Sequence, residues 1–312
     1  MHDDSITDLD VFLENQKLFK IMRNYPIDMV YNFLKESVEW EKNNTLEKRK
    51  RKYYNIISDC FDSLNVNIDA KDTIKNNWPE YMIDRMLDIV LLTLYEPRKD
   101  IFRDMVKFEN KNILDRSFVN GRAPLLVSIH LDAFQCSPLT LAFYGYKTSS
   151  FMDKNAFDLL NNITKTFIST TGESINMIGL PGRSAIKKAM KDIQNGNLLL
   201  MYPEFSLGDK PSLQLELFGN KVYAPIGPAK IAKLLKVPIV PVLLRKKGPL
   251  NYLFTVEDPI YFPGENVENE EIIIKIFSWI EKNICSCPEK WWGWSIYKNS
   301  MVVSEESTLI SS

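Results

Sequence analysis

The sequence predicts an α/β chain: a mixed, mostly parallel sheet flanked by helices, preceded by an N-terminal helical region. Three observations lead there. Up to about residue 115, apolar residues recur at three- and four-residue spacing, with few glycines and lysine-rich breaks. Beyond that point short apolar runs alternate with amphipathic stretches, the pattern of strands covered by crossover helices. Asn195-Gly196 and Gly227-Pro228 stand where one helix should stop and another start. The divisions expected are therefore a helical region over 1–115, an α/β core over 116–298 and a serine-rich, frayed tail over 299–312.

The elements follow in order. Helices are expected over Asp28 to Glu41 and Trp78 to Tyr95 from their apolar spacing. The basic run Lys48 to Lys52 between them reads as a solvated helix face, or else as a contact surface for an acidic carrier protein. Leu125 to Ile129 is a strand, Ser149 to Met152 a weaker one, and Leu198 to Tyr202 a fully apolar one. Arg183 to Gln194 carries Ile186, Met190 and Ile193 on one stripe and lysines outside it, which makes it a helix. Gly227-Pro228 opens the next helix through Leu235. Val237 to Leu244 must then be a strand whose prolines sit where no ladder donor is needed. A strand over Asn251 to Phe262 and a helix over Glu270 to Ile284 complete the core.

Composition narrows the function. Lysine and arginine number 39 against 40 acidic residues, so nothing in the overall charge attracts nucleic acid. The opening Met1-His2-Asp3-Asp4-Ser5 is acidic and lacks an apolar core, which argues against a secretory signal and for a cytoplasmic chain. The aliphatic stretch Ile89 to Tyr95 is far short of a bilayer span, so none is expected. Cys60, Cys136, Cys285 and Cys287 lack the paired spacing of a zinc site and read as reduced thiols. Cys136 lies near a histidine, but Gln135 and Ser137 beside it offer no activating charge.

His130 carries the most information. It is one of two histidines, and it ends the apolar run Leu125-Leu126-Val127-Ser128-Ile129. Open α/β sheets place their chemistry beyond the carboxyl ends of strands, so His130 is either a base there or a ring satisfied by nearby backbone. The strand Leu198 to Tyr202 ends in Pro203-Glu204-Phe205-Ser206-Leu207-Gly208, which brings a carboxylate, a hydroxyl and a glycine to the same expected edge. Glu204 is either a partner of that base or a local cap. Arg183 starts its helix with a cation at the positive dipole end, which suggests an anion or carboxylate ligand, with a solvent-exposed arginine as the alternative.

Taken in order, these motifs resemble the late acyltransferases of lipid A biosynthesis, within the wider glycerol-phosphate acyltransferase superfamily. The resemblance spans roughly residues 80 to 300. It rests on Asn120-Gly121-Arg122 before the histidine strand, Gly182-Arg183-Ser184-Ala185-Ile186-Lys187, Met201-Tyr202-Pro203-Glu204, and Phe218-Gly219. Gly227-Pro228-Ala229-Lys230-Ile231-Ala232, the strand Val237 to Leu244 and Pro288-Glu289-Lys290-Trp291-Trp292-Gly293-Trp294 complete it. It implies transfer of a fatty acyl group from an acyl-carrier-protein or coenzyme A thioester to a hydroxyl or amine, without a metal or redox cofactor. His130 would be the general base.

The chain departs from that family in ways that matter. The family places an acid five residues after the histidine, where this chain has Gln135. A glutamine carbonyl can hold the ring's orientation but not stabilise the imidazolium, a loss of about two to three orders of magnitude in rate. Two residues on in an extended segment, Asp132 would share a side with His130 and is the first candidate to replace the acid. Glu204 is another, and Asp132 could equally cap a helix. Phe205-Ser206-Leu207 supplies none of the cations that bind phosphate in the glycerol-phosphate enzymes, which argues against a glycerophosphate acceptor.

The missing anchor points to a soluble or carrier-tethered acceptor in specialised metabolism, with peripheral membrane contact still open. Phe134, Phe143, Tyr144, Phe151 and Phe157 could line an acyl tunnel or belong to the core. Trp291, Trp292 and Trp294 could pack the C-terminal helix or touch a membrane interface. Two alternatives stand beside acyl transfer: thioester hydrolysis, and an inactive relative that binds an acyl carrier.

Overall fold

A computed structural model describes residues 22, 24–44, 47–64, 66–69, 71–89, 99–153, 175–180, 182–205 and 212–301. Nine helices are seen among these residues. α1 (Ile27–Asn44), α2 (Glu47–Ser63), α3 (Lys71–Ile89) and α4 (Lys99–Met105) come first. α5 (Lys111–Arg116), α6 (Ser137–Phe143), α7 (Arg183–Gln194), α8 (Gly227–Leu235) and α9 (Asn269–Ser286) follow. The expected helices over 28–41, 183–194 and 270–284 are all present, while the last third of the one expected over 78–95 lies outside the described residues.

Among the described residues nine strands form two sheets. β1 (Val106–Glu109), β2 (Leu125–Val127), β3 (Thr148–Asp153), β4 (Ile175–Leu180), β5 (Leu198–Met201), β8 (Ile239–Gly248) and β9 (Asn251–Val256) make a seven-stranded sheet in the order β1-β9-β8-β2-β5-β3-β4. Every neighbouring pair in it is parallel except β8 with β9. The α/β class and the mostly parallel sheet are as the sequence predicts. β1 joins the sheet from within the stretch expected to be helical, and it does so by pairing with β9, far away in sequence.

The apolar runs make sense once both faces of the sheet are covered. Leu125 and Val127 of β2 and Leu199 of β5 pack on one face, with Ala189 and Ile193 of α7 and Ile276 and Ile280 of α9. Leu126, Leu198 and Leu200 point to the other face, against Phe102, Phe143 and Phe254. β8 is an interior strand, and its Pro241 stands opposite Val127, the last residue of β2. There the missing N–H costs little, and the Pro241 carbonyl still accepts from Glu257 N–H at 3.0 Å.

The strand expected over Asn251 to Phe262 ends at Val256. A separate hairpin, β6 (Ser212–Leu217) with β7 (Asn220–Pro225), was not anticipated. Its two-residue turn is Phe218-Gly219, with φ of 49° and 79°, the left-handed pair that a type I′ turn requires. A phenylalanine tolerates this because its ring is buried, its N–H donates to Glu281 Oε1 at 2.8 Å and its carbonyl accepts from Asn67 N–H at 2.8 Å.

The N-terminal helices share their core with the sheet. Ile57 of α2 and Ile74 and Trp78 of α3 are sealed in the same apolar cluster as Trp291 and Trp294. These two tryptophans are therefore packing residues and not interfacial anchors. No helix among the described residues is long and apolar enough to cross a membrane.

Candidate active site

Strand register brings an imidazole and a carboxylate together. β2 and β5 pair in parallel with Val127 opposite Met201, an offset of 74 residues. His130 and Glu204 each lie three residues beyond those strand ends, and the same offset separates them. Ser128 N–H continues the ladder to the Met201 carbonyl at 2.8 Å, so the register persists into the loops. His130 Nδ1 then stands 3.2 Å from both Oε1 and Oε2 of Glu204, and its own backbone N–H also donates to Oε1.

The pair is graded in burial. Glu204 is sealed, whereas the His130 side chain keeps 22% of its accessibility. A proton on Nδ1 satisfies the carboxylate and leaves the Nε2 lone pair free, and Nε2 has no hydrogen-bond partner among the described residues. Aromatic rings frame the imidazole: Phe134 at 4.7 Å between centres, Tyr202 at 4.6 Å, Trp292 at 5.2 Å and Phe205 at 6.2 Å. Tyr202 stays protonated, since burial and the nearby Glu204 charge both push its pKa up. Its hydroxyl donates to the Phe134 carbonyl at 2.9 Å.

The loop carrying His130 is clamped from both chain ends. Trp292 N–H donates to the His130 carbonyl at 2.9 Å, and Asp132 N–H donates to the Lys290 carbonyl at 2.9 Å. From α3, Tyr81 Oη donates to the Asp132 carbonyl at 2.9 Å and Trp78 Nε1 to the Trp291 carbonyl at 2.8 Å. Gly293 is required at the turn behind: a Cβ there would stand 2.2 Å from the Trp291 ring and 2.7 Å from Phe205 Cζ.

Asp132 does not reach the imidazole. The expectation that it replaces the missing acid assumed an extended chain, but Asp132 sits at φ 54°, and that left-handed turn sends its side chain elsewhere. Its Oδ2 accepts from the Lys246 backbone N–H at 2.9 Å and lies 3.5 Å from Lys290 Nζ. Burial raises its pKa, against the opposing pull of Lys290 and the Lys246 N–H. Beneath it a second buried carboxylate, Asp88, binds Lys246 Nζ at 2.6 Å and the Tyr252 hydroxyl at 2.5 Å.

Gln135 does not orient the ring either. It lies in a short 3₁₀ turn, Phe134–Cys136, where its Nε2 donates to the Arg85 carbonyl at 3.5 Å and its Oε1 is buried without a partner. Arg183 opens α7 after β4, at the same sheet edge as His130 but three strand positions away, about 14 Å, and exposed. Ser206 and Phe157 lie outside the described residues. Phe143 is sealed in the core against Phe102, and Tyr144 reaches the Val106 carbonyl, so neither lines a channel at His130. Cys136 is fully buried with its pKa well above the usual thiol value, an inert packing residue. Among the described residues no three His, Cys, Asp or Glu side chains gather as metal ligands.

Tyr202, Phe205 and Trp292 are the neighbours of His130 that sequence reasoning missed, with Arg85 on the Trp292 ring behind them. The ordered motifs did place the Trp292 segment in the set, but nothing in one sequence says that it folds back over the histidine loop.

Comparison with known proteins adds the family. No curated protein sequence matches the chain. Among solved structures, the crystal structure of the 1-acyl-sn-glycerophosphate (LPA) acyltransferase PlsC from Thermotoga maritima aligns over 85% of this chain and 99% of its own. The identity is 13% and the TM-score 0.38, a superposition too loose to support a conclusion. Residues 16–294 match the family described as bacterial lipid A biosynthesis acyltransferase, and with nearly the whole chain covered the protein belongs to that family and is an acyltransferase.

Proposed function

We propose that the protein moves an acyl group from an acyl-carrier-protein or coenzyme A thioester to a hydroxyl or amine, with His130 as the base and Glu204 as the carboxylate that holds it. One observation carries this reading: a half-open imidazole whose Nδ1 faces a fully buried carboxylate at 3.2 Å while Nε2 stays unpaired among the described residues. Nε2 takes the acceptor's proton as its oxygen or nitrogen attacks the thioester carbonyl, and the buried carboxylate stabilises the imidazolium. Collapse of the tetrahedral intermediate breaks the C–S bond, and the imidazolium protonates the leaving thiolate. Glu204 thus supplies the charge that Gln135 lacks.

The test is direct. Purified protein is incubated with acyl-carrier-protein and acyl-coenzyme A thioesters and a panel of hydroxyl and amine acceptors, beside His130→Ala. Acylated acceptor from the wild type and none from the variant supports the reading. Free acid as the sole product, or turnover unchanged in His130→Ala, overturns it.

A further inference from the structure

Arg85 is a largely buried cation with no carboxylate bonded to it among the described residues. It lies on α3 with 8% of its surface accessible, and its Nε is sealed without a hydrogen-bond partner among the described residues. Sealing the Nε of a charged guanidinium without an acceptor is costly, so such a group usually meets an anion. The described acids around it are engaged elsewhere. Asp88 holds Lys246 and Tyr252, Asp132 accepts from Lys246 and Lys290, and Asp84 is exposed with a partner of its own.

The position of this cation gives it meaning. Its guanidinium carbon stands 6.0 Å from the centre of the Trp292 ring, and that ring is 5.2 Å from the His130 imidazole. Gln135 lies alongside, with Nε2 on the Arg85 carbonyl and Oε1 buried and unpartnered. The amide at position 135 rests on the Arg85 main chain and supplies no counter-charge. Among the described residues, therefore, a cation with no acid bonded to it and a bare amide oxygen stand one indole ring away from His130.

We propose that Arg85 binds an anionic group, carboxylate or phosphate, on the acyl acceptor, so that the preferred acceptors are hydroxy or amino compounds with a negative charge close to the nucleophile. This deepens the reading above and rests on His130 as the base. The anion belongs to the acceptor because the phosphate of an extended pantetheine-bearing donor lies a full pantetheine arm from its thioester, beyond the gap between Arg85 and His130. A bidentate guanidinium suits either oxyanion, and the Gln135 oxygen can accept a hydrogen bond from a hydroxyl or ammonium on the same ligand.

Titrating the full-length protein with inorganic phosphate and with acetate, at constant ionic strength in chloride, tests the site through tryptophan fluorescence beside Trp292. A saturable response to phosphate assigns a phosphoryl group and one to acetate a carboxylate. Either should weaken at least tenfold in Arg85→Met and in Gln135→Glu, and persist in Arg85→Lys. No saturable response to either anion overturns the proposal, as does wild-type affinity in Arg85→Met or, where that variant fails to fold, in Gln135→Glu. His130→Ala should bind the anion like the wild type. Turnover that survives in His130→Ala with the anion site intact would therefore sink the base and leave Arg85's ligand standing.

Discussion

Two buried carboxylates flank His130 and do different work. Glu204 is 74 residues away in sequence yet touches the imidazole, whereas Asp132, two residues away, is turned to the Lys246 backbone and Lys290. The difference lies in the backbone. Parallel pairing of β2 with β5 carries the register out to Glu204, while a left-handed residue at φ 54° breaks the alternation that would have aimed Asp132 at the ring. One acid meets the ring and the other holds the loop.

The largest effects should separate these roles. His130→Ala is expected to lower kcat/KM by about three orders of magnitude, and Glu204→Gln by about two or more. Asp132→Asn, which suits a left-handed position, should stay within about tenfold of wild type in the same assay. Equal losses from Glu204→Gln and Asp132→Asn would erase the contrast. Stability should show the converse. Asp132→Ala strands the partly buried Lys246 N–H and puts a β-carbon residue without local hydrogen bonding at positive φ, a loss of about 2–3 kcal/mol in urea unfolding.

A smaller change sharpens the comparison from the Glu204 side. Gly293→Ala drives a methyl into Trp291 and Phe205, the ring next to Glu204, and should cost about 1–3 kcal/mol of overpacking while also slowing turnover. Thermal unfolding read beside activity checks both halves. Tm unchanged would mean the turn relaxes freely.

The smallest effect is one of pH. Burial raises both Asp132 and Asp88 above the ordinary 3.8, so the folded protein holds these protons more tightly than the unfolded chain. Stability should therefore fall as pH rises through the raised values. In Asp132→Asn one of the two groups is gone, and denaturant unfolding across the window just above 3.8 should show a shallower slope. An unchanged slope would remove Asp132 from the cause.

Much of the fold was legible in local pattern. The apolar runs at 125–129 and 198–202, the striped helix over 183–194 and the alternation beyond residue 115 report burial on two sheet faces, which each segment shows by itself. β1 and the β6–β7 hairpin escaped, the first being a four-residue edge strand paired across the chain and the second half-exposed and turned on Phe218. His130 and Glu204 were both legible as strand-end polar groups. Their pairing was not, since it depends on which strands are neighbours.

By itself, then, the order of residues determined the class of fold, the strand ends that carry polar side chains, and the motif series that marks the family. Tertiary structure decided which acid meets the imidazole, that α3 and the tryptophan turn close over it, and that Arg85 comes to lie nearby. The reason is physical: periodicity records how each segment is buried, whereas contacts between distant segments depend on register and on single backbone turns such as the one at Asp132, which leave no repeating trace in the chain.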